Sequence, residues 1–467
     1  MVFNSLAFIL FFMLVIPAYF VCPLRWRWLL LLIASCYFYM ALVPQYILIL
    51  GFIIVCDFFL ARRIELAAGK TKRLYLFASL AINIGTLFFF KYFNFFNQNI
   101  AAVAQLLHWN YSVPLLNIIL PLGLSFHTFQ SLSYIIEVYR GKFKAERHFG
   151  IYALYVMFFP QLVAGPIERP QHLLPQLHKE HPFEAQRFQS GLQLMLWGFF
   201  KKIVIADRLA QSVDYVYGHL RQTPGLALWV VLLFFAFELY ADFSGYCDIA
   251  IGCARLLGID LTQNFNHPYF ATSVADFWRR WHISLSNWLR DYLYFPLATA
   301  AKKTTRTWLY ACLFITFIVC GLWHGANWTY VVMGAYFGGC IVLGMIFKPK
   351  LPFKTFTTFL LVCFGWVFFR APNLSDAFYL FTHLFSDWGR GIGSSLATYG
   401  VSQIELALSA AGILTILAVE TLQTKMALGV WLLKQPVFVR TFVYATVILL
   451  IITLGSYTNK QFIYFQF

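Results

Sequence analysis

The sequence predicts an all-α, polytopic integral membrane protein, and three observations predict it. Of the 467 residues, 60% are hydrophobic and 20% aromatic while only 12% are charged, about half the charged share of a water-soluble domain. Apolar runs recur along the whole chain. The Lys and Arg residues behind the formal net charge of +16 gather in blocks between those runs instead of spreading over one polar face. A surface built this way must face lipid, which excludes a disordered chain, a collagen and a disulfide-stapled secreted module.

Candidate spans lie near 2–22, 28–43, 45–60, 74–90, 115–138, 191–207, 226–247, 308–323, 328–347, 356–370, 404–421 and 437–457. A perpendicular helix needs roughly 20 residues, and several runs are shorter, so the expectation is about 11 or 12 crossings with some tilted or set in a locally thinned bilayer. The first run carries neither a basic leader nor a small-residue cleavage site and is expected to stay as an anchor. The stretch 151–166 is too short to cross and contains Pro160 and Gly165. It reads as re-entrant or interfacial, a backbone that membranes tolerate only under a cover of protein or in a water cavity.

Basic blocks orient the spans. Arg62, Arg63, Lys70, Lys72 and Arg73 follow the third run, and Arg140, Lys142, Lys144 and Arg147 follow the fifth. Arg255, Arg279, Arg280, Arg290, Lys302, Lys303 and Arg306 fill a long central loop, and Lys348, Lys350, Lys354, Lys425, Lys434 and Arg440 come later. Loops at 91–113, 208–225 and 371–403 hold few such residues. The basic loops are therefore expected in the cytoplasm and the N-terminus outside it. Positive charge is thereby explained as a topology signal, with anionic membrane lipids as its partner, and no nucleic acid is expected. No repeat or long linker divides the chain, so 1–467 reads as one membrane domain, with 248–307 as its main cytoplasmic or interfacial segment. Nine cysteines form no CxxC pair and lie mostly in apolar runs, so they read as small buried hydrophobes with no metal site.

An ionisable group in hydrocarbon costs about 2.5 to 3.5 kcal/mol even on lenient scales, so each one in this chain needs a reason. FELYADFSGYCDIAIG places Glu238, Asp242 and Asp248 in or beside an apolar helix, the first two sharing a face. They either line a polar cavity or pair with Lys or Arg of another helix. VADFWRRWHISLSNWLRDYLYFPL, 274–297, sets Phe277, Trp281, Trp288, Tyr292 and Phe295 on one helical face and Arg279, Arg280, Asn287, Arg290 and Asp291 on another. It reads as an aromatic interfacial helix whose arginines suit phosphates, of a cofactor or of lipid headgroups alike. His282 lies between the two faces and either packs or takes part in chemistry. In CGLWHGANWTYVVMGAYFGG, His324 sits where two apolar runs meet, beside Trp323 and Trp328, with Gly321, Gly325 and Gly334 permitting close backbone approach. Burial favours a neutral imidazole, fit for a general base, a nucleophile, a ligand or a purely structural role. His127, among Ser, Thr, Gln and Tyr neighbours, receives no role.

These segments resemble the membrane-bound O-acyltransferases, in particular the bacterial branch of alginate O-acetylases, peptidoglycan O-acetyltransferases and the D-alanyl transferase of teichoic acids. The resemblance runs from end to end through MVFNSLAFILFF, PLGLSFHTFQSLSYIIEVYRG, FPQLVAGPIERP, GFFKKIVIADRLA, ADFSGYCDIAIG, NFNHPYFATSVADFWRRWHISLSNWLRDYLYFPL, GLWHGANWTYVVMGAYFG and FIYFQF. It implies a ring of helices around a central catalytic tunnel. His324 would be the principal catalytic histidine and His282 a second, nearer the cytoplasm. Arg279, Arg280 and Arg290, with Trp278, would bind the donor, and Trp323, Asn327, Asp242 and Glu238 would line the tunnel. The donor would be an acyl thioester, acetyl-CoA here, with no bound cofactor. The acyl group would leave on the far side of a bacterial inner membrane, to a periplasmic or membrane-anchored acetyltransferase-like or esterase-like partner that esterifies an extracytoplasmic polysaccharide. Where relatives often carry a Gly-Gly-Asn-Arg turn this chain has ATAAKKTTR, and His127 stands where an aromatic residue is frequent.

Two other classes are compatible with the composition. A multispan transporter or flippase of a lipid-linked envelope precursor could use Glu238, Asp242 and His324 as a proton relay, although the inverted repeats that favour one are not visible. A scaffold for a polysaccharide export complex would tolerate replacement of both histidines.

Overall fold

The computed structural model describes residues 1–41, 43–118, 120–349, 352–387, 396–457 and 461–465. Lys350 and the last two residues of the FIYFQF tail lie outside the described residues. Among those described, helices supply the regular structure and there is no strand. The chain is all-α and its described residues form two compact units, one of Met1–Glu184 with Leu257–Thr262, the other of Ala185–Leu256 with the described residues between Gln263 and Phe465.

The first unit contains α1 (Leu6–Val21), α2 (Arg27–Met40), α3 (Tyr46–Leu66), α4 (Gly69–Leu87), α5 (Phe93–Leu106), α6 (Leu124–Tyr139), α7 (Phe149–Met157) and α8 (Pro170–Leu177). Ser5 starts α1 by accepting from the Phe8 N–H at 3.2 Å, the usual way to satisfy an orphan helix donor. A buried carboxylate ties α3 to α4, with Asp57 accepting from Ser79 Oγ at 2.6 Å and Asn83 Nδ2 at 2.9 Å. Arg147 pairs with Glu65 at 2.6 Å, which brings the basic stretches after α3 and after α6 to one end of this unit. In 151–166, α7 stops at Met157 and the following backbone is buried without being helical. Ser35 satisfies part of it by accepting from the Phe159 N–H at 3.1 Å, as covered non-helical backbone in a membrane protein requires.

The second unit contains α9 (Ala185–Phe199), α10 (Asp207–Gly218), α11 (Gly225–Leu256), α12 (Val274–Arg280), α13 (Ile283–Leu289), α14 (Phe295–Ala300), α15 (Arg306–His324), α16 (Trp328–Phe347), α17 (Lys354–Arg370), α18 (Leu374–His383), α19 (Gln403–Lys425), α20 (Leu428–Leu433) and α21 (Val437–Leu454). The 32-residue α11 is its buried axis. Gly191 and Gly198 of α9 meet Gly252 and Gly245 of α11 so closely that a Cβ on Gly252 would lie 2.7 Å from the Gly191 carbonyl, and one on Gly198 2.7 Å from that of Gly245. Small residues at matched spacing let two apolar helices touch along their backbones, where dispersion must replace the hydrophobic effect. A π-helical turn, Phe200–Ala206, follows α9 and turns Lys201 and Lys202 together into the unit.

Six helices among the described residues are long and apolar enough to cross a bilayer: Gly69–Leu106, in which α4 and α5 run on through a π turn, and α11, α15, α16, α19 and α21. The chain is a multi-pass membrane protein. The expected crossings outnumber these helices because several apolar runs form shorter or interrupted ones. α1 has 16 residues and α17 has 17, while α3 carries Asp57, Arg62 and Arg63. The run near 115–138 becomes helical only at Leu124. Pro121 breaks it and Pro114 precedes it, and a side chain of α5 takes over the freed backbone, Asn94 donating to the Leu116 carbonyl at 2.8 Å and accepting from its N–H at 2.9 Å.

Candidate active site

The stretch 274–297, expected as one amphipathic helix, is broken at its histidine. α12 ends at Arg280, and His282 takes a left-handed conformation with φ +43° before α13 begins. That geometry costs a non-glycine residue about 1–3 kcal/mol and persists only where its surroundings impose it. Here Asn264 imposes it. Its carbonyl accepts from the Ile283 N–H at 3.0 Å, and its side-chain oxygen accepts from the Ser284 N–H at 3.1 Å and the Ser284 hydroxyl at 2.9 Å. Donors that would otherwise continue α12 are thereby intercepted.

The same oxygen lies 3.2 Å from Nδ1 of His282. A backbone N–H can only donate, so the atom facing Ser284 is the amide oxygen, and the Nδ1 beside it must carry the proton. In the neutral ring Nε2 then holds the lone pair. His282 is fully buried and outside the membrane-spanning helices; burial first, and the neighbouring His324 second, hold its pKa well below 6.5. The ring is neutral at physiological pH.

His324 is the last residue of α15 and is buried. The helix stops there because the chain turns directly into α16. At Gly325 a Cβ would sit 2.1 Å from the Tyr330 ring, and at Gly321 2.1 Å from the Tyr330 carbonyl. The two imidazoles share walls: Trp323 lies 5.7 Å from His282 and 5.0 Å from His324, and Tyr464 lies 6.1 Å and 5.8 Å away, centroid to centroid. Phe243 closes on His282 at 4.8 Å and Phe369 on His324 at 5.4 Å.

Tyr464 belongs to the C-terminal tail, which a buried charge cluster holds in place. Lys202 pairs with Asp207 at 2.8 Å and with Asp242 at 2.6 Å, and the second oxygen of Asp242 accepts from the Ile463 N–H at 2.7 Å. The Lys202 ammonium also lies 4.3 Å from the Phe462 ring centroid. The neighbouring Lys201 pairs with Asp248 at 2.7 Å. Of the two readings of the acids on α11, the pairing with lysines is the one observed for Asp242 and Asp248, and Glu238 is buried one turn before Asp242.

Trp323 stands between the histidines, whereas Trp278 is buried in edge-to-face contact with Phe317 and Phe337 at 5.3 and 5.2 Å. Asn327 caps α16 by accepting from the Thr329 N–H at 3.1 Å and holds the Pro372 carbonyl at 3.0 Å. Arg279 is exposed; Arg280 is engaged by Asp276 at 3.1 Å and Arg290 by Asp291 at 2.8 Å. No cluster of metal-ligating side chains occurs among the described residues. Sequence reasoning assigned no role to Asn264, Phe243, Lys202 or Tyr464. Apart from family segments that contain them, nothing local marks these residues, because each acts through a partner distant in sequence.

A buried pair of histidines where helices end is a chemical site without a stated reaction, and comparison with known proteins supplies the class. Residues 147–381, which include both histidines, match the model of MBOAT, the membrane-bound O-acyltransferase family. The chain belongs to that family. The acyltransferase is 40% identical to the Pseudomonas aeruginosa protein named "Probable alginate O-acetylase AlgI", over 83% of this chain and 75% of the relative. It is 34% identical to the peptidoglycan O-acetyltransferase of Helicobacter pylori, over 74% of this chain and 71% of the relative. A more distant relative is the teichoic acid D-alanyltransferase of Bacillus subtilis, 29% identical over 54% of this chain and 69% of that protein. The enzyme is an O-acyltransferase.

Proposed function

We propose that this O-acyltransferase moves an acetyl group from cytoplasmic acetyl-CoA across the bacterial inner membrane, for O-acetylation of an extracytoplasmic polysaccharide such as alginate or peptidoglycan. The observation that carries the reading is the pair of buried imidazoles sharing Trp323 and Tyr464, one of them fixed in a single tautomer by Asn264. The names of the relatives support the acetyl group and the polymer. His324 takes the proton of the acceptor hydroxyl; the oxygen attacks the thioester carbonyl, an O–C bond forms, the C–S bond breaks, and the proton leaves with the thiolate. His282, neutral and held through Nδ1, orients the donor or the departing sulfur. Catalysis of this kind is worth about 10² to 10⁴ in rate.

In this reading the donor docks from the cytoplasm with its phosphates near the exposed Arg279 and the arginines beside it, the basic loops lie in the cytoplasm and the N-terminus outside. A periplasmic or membrane-anchored partner protein receives the acetyl group and delivers it to the glycan. The test is transfer of labelled acetyl from acetyl-CoA by the purified protein reconstituted with its partner and polymer. Label moving to polymer sustains the reading. Movement of an intact lipid-linked sugar with no acetyl turnover would reject it.

A further inference from the structure

The first unit carries a cleft of about 320 Å³ at the corner between α1 and α2, within the size range of small-ligand sites. Unlike the apolar surface around it, this cleft is lined by Arg25, Arg27, His148, His178, Lys179 and His181. Glu180 is the carboxylate among the described lining residues, against three permanent cations.

The walls are built before any ligand arrives. Arg27 donates to the His181 carbonyl at 2.7 Å and to the Cys22 carbonyl at 3.3 Å, tying the turn after α8 to the α1–α2 corner. Gln176 and Asp260 exchange hydrogen bonds of 2.9 and 2.8 Å. Gly258, at φ +86°, lets the chain pass where a Cβ would lie 2.4 Å from that of His181. His148 accepts from the Ile151 N–H through Nδ1 at 3.1 Å, so its neutral ring carries the proton on Nε2 as a donor. Glu146 engages His178 at 2.8 Å. What remains available is positive: Arg25 and Lys179 are exposed, and their side chains form no hydrogen bond or ion pair with any described residue, Arg25 lying 5.8 Å over the Trp26 ring.

We propose that this cleft is a binding site for a phosphate-bearing ligand. A guanidinium, an ammonium and an imidazole N–H converging on one cavity match the acceptors and charge of a phosphate ester. Trp26 and Trp28 beside the corner, together with the exposed apolar face of α1, give the cleft the aromatic and apolar rim that is typical of headgroup-level sites. The phosphate is that of an anionic lipid headgroup or that of a soluble nucleotide-like cofactor. The proposal stands apart from the acetyl-transfer reading, since it concerns binding in the first unit alone.

The experiment is equilibrium binding to the full-length protein in a neutral detergent, with two probes: adenosine 3′,5′-bisphosphate and dihexanoyl phosphatidylglycerol. Each is titrated against wild type and against a double variant, Arg25→Gln with Lys179→Gln, whose melting temperature is checked in parallel. Saturable binding of either probe, weakened at least tenfold in a double variant that melts like wild type, is the expected result. The probe that binds identifies the source as lipid or soluble. Absence of saturable binding of both probes to wild type, or no weakening of either probe in the double variant, overturns the site.

Discussion

The side-chain oxygen of Asn264 and Nδ1 of His282 lie 3.2 Å apart, and this contact decides which imidazole nitrogen carries the proton. Because the same oxygen is pinned by the Ser284 N–H and hydroxyl, the amide cannot rotate to offer its NH₂ instead. Asn264→Ala removes the acceptor from three buried donors, each costing about 1–3 kcal/mol when left unmet. Transfer is expected to fall by roughly ten- to a hundredfold, or further where the turn itself relaxes. Initial rates of acetyl transfer measure this, and an unchanged rate would remove Asn264 from the site.

His324→Ala is expected to lower transfer by about 10² to 10⁴, the worth of a positioned base, while leaving membrane insertion and expression unchanged. His282→Ala is expected to lower transfer as well. Polymer acetylation at the wild-type level in the His324 variant would reject its role as base.

The tail that carries Tyr464 depends on Asp242. Removing one partner of a buried ion pair costs about 3–5 kcal/mol, and Asp242→Ala also strips the acceptor from the Ile463 N–H. The variant is expected to melt lower and to lose its last residues to carboxypeptidase faster than wild type, with transfer falling in parallel. Asp242→Asn keeps an oxygen for that N–H and should release the tail less. Equal carboxypeptidase resistance in Asp242→Ala and wild type would refute the anchoring role.

Stability should fall in acid through His282. Its folded pKa is well below the ordinary 6.5, so between those two values the unfolded chain binds the extra proton and the folded one does not. Stability therefore rises with pH across that window, is fully present above about 6.5 and is lost as pH falls toward the folded value. Melting curves at pH 7.5 and 5.5 are expected to show a drop for wild type that is smaller in His282→Gln. An identical drop in both would assign the acid sensitivity elsewhere.

How far the sequence could be read depended on the range of each interaction. Both histidines and Trp323 were legible because WHGANWT and RRWHISLSNW are contiguous, and the glycines that press α15 against α16 lie within the same segment. The helix through 274–297 was misread as continuous because its aromatic spacing is periodic, while the group that breaks it, Asn264, approaches from 18 residues upstream of His282. Asp242 showed its cost in the sequence but not its partner.

Composition and apolar periodicity alone determined that this chain is helical and lives in a bilayer, since burial of apolar surface depends on residue type and spacing rather than on who the neighbours are. Three-dimensional packing decided everything directional: the tautomer of His282, the lysine that neutralises Asp242, and the tail ring between the imidazoles. Hydrogen bonds and buried ion pairs act over about 3 Å, and only the folded chain brings residues tens to hundreds of positions apart within that reach.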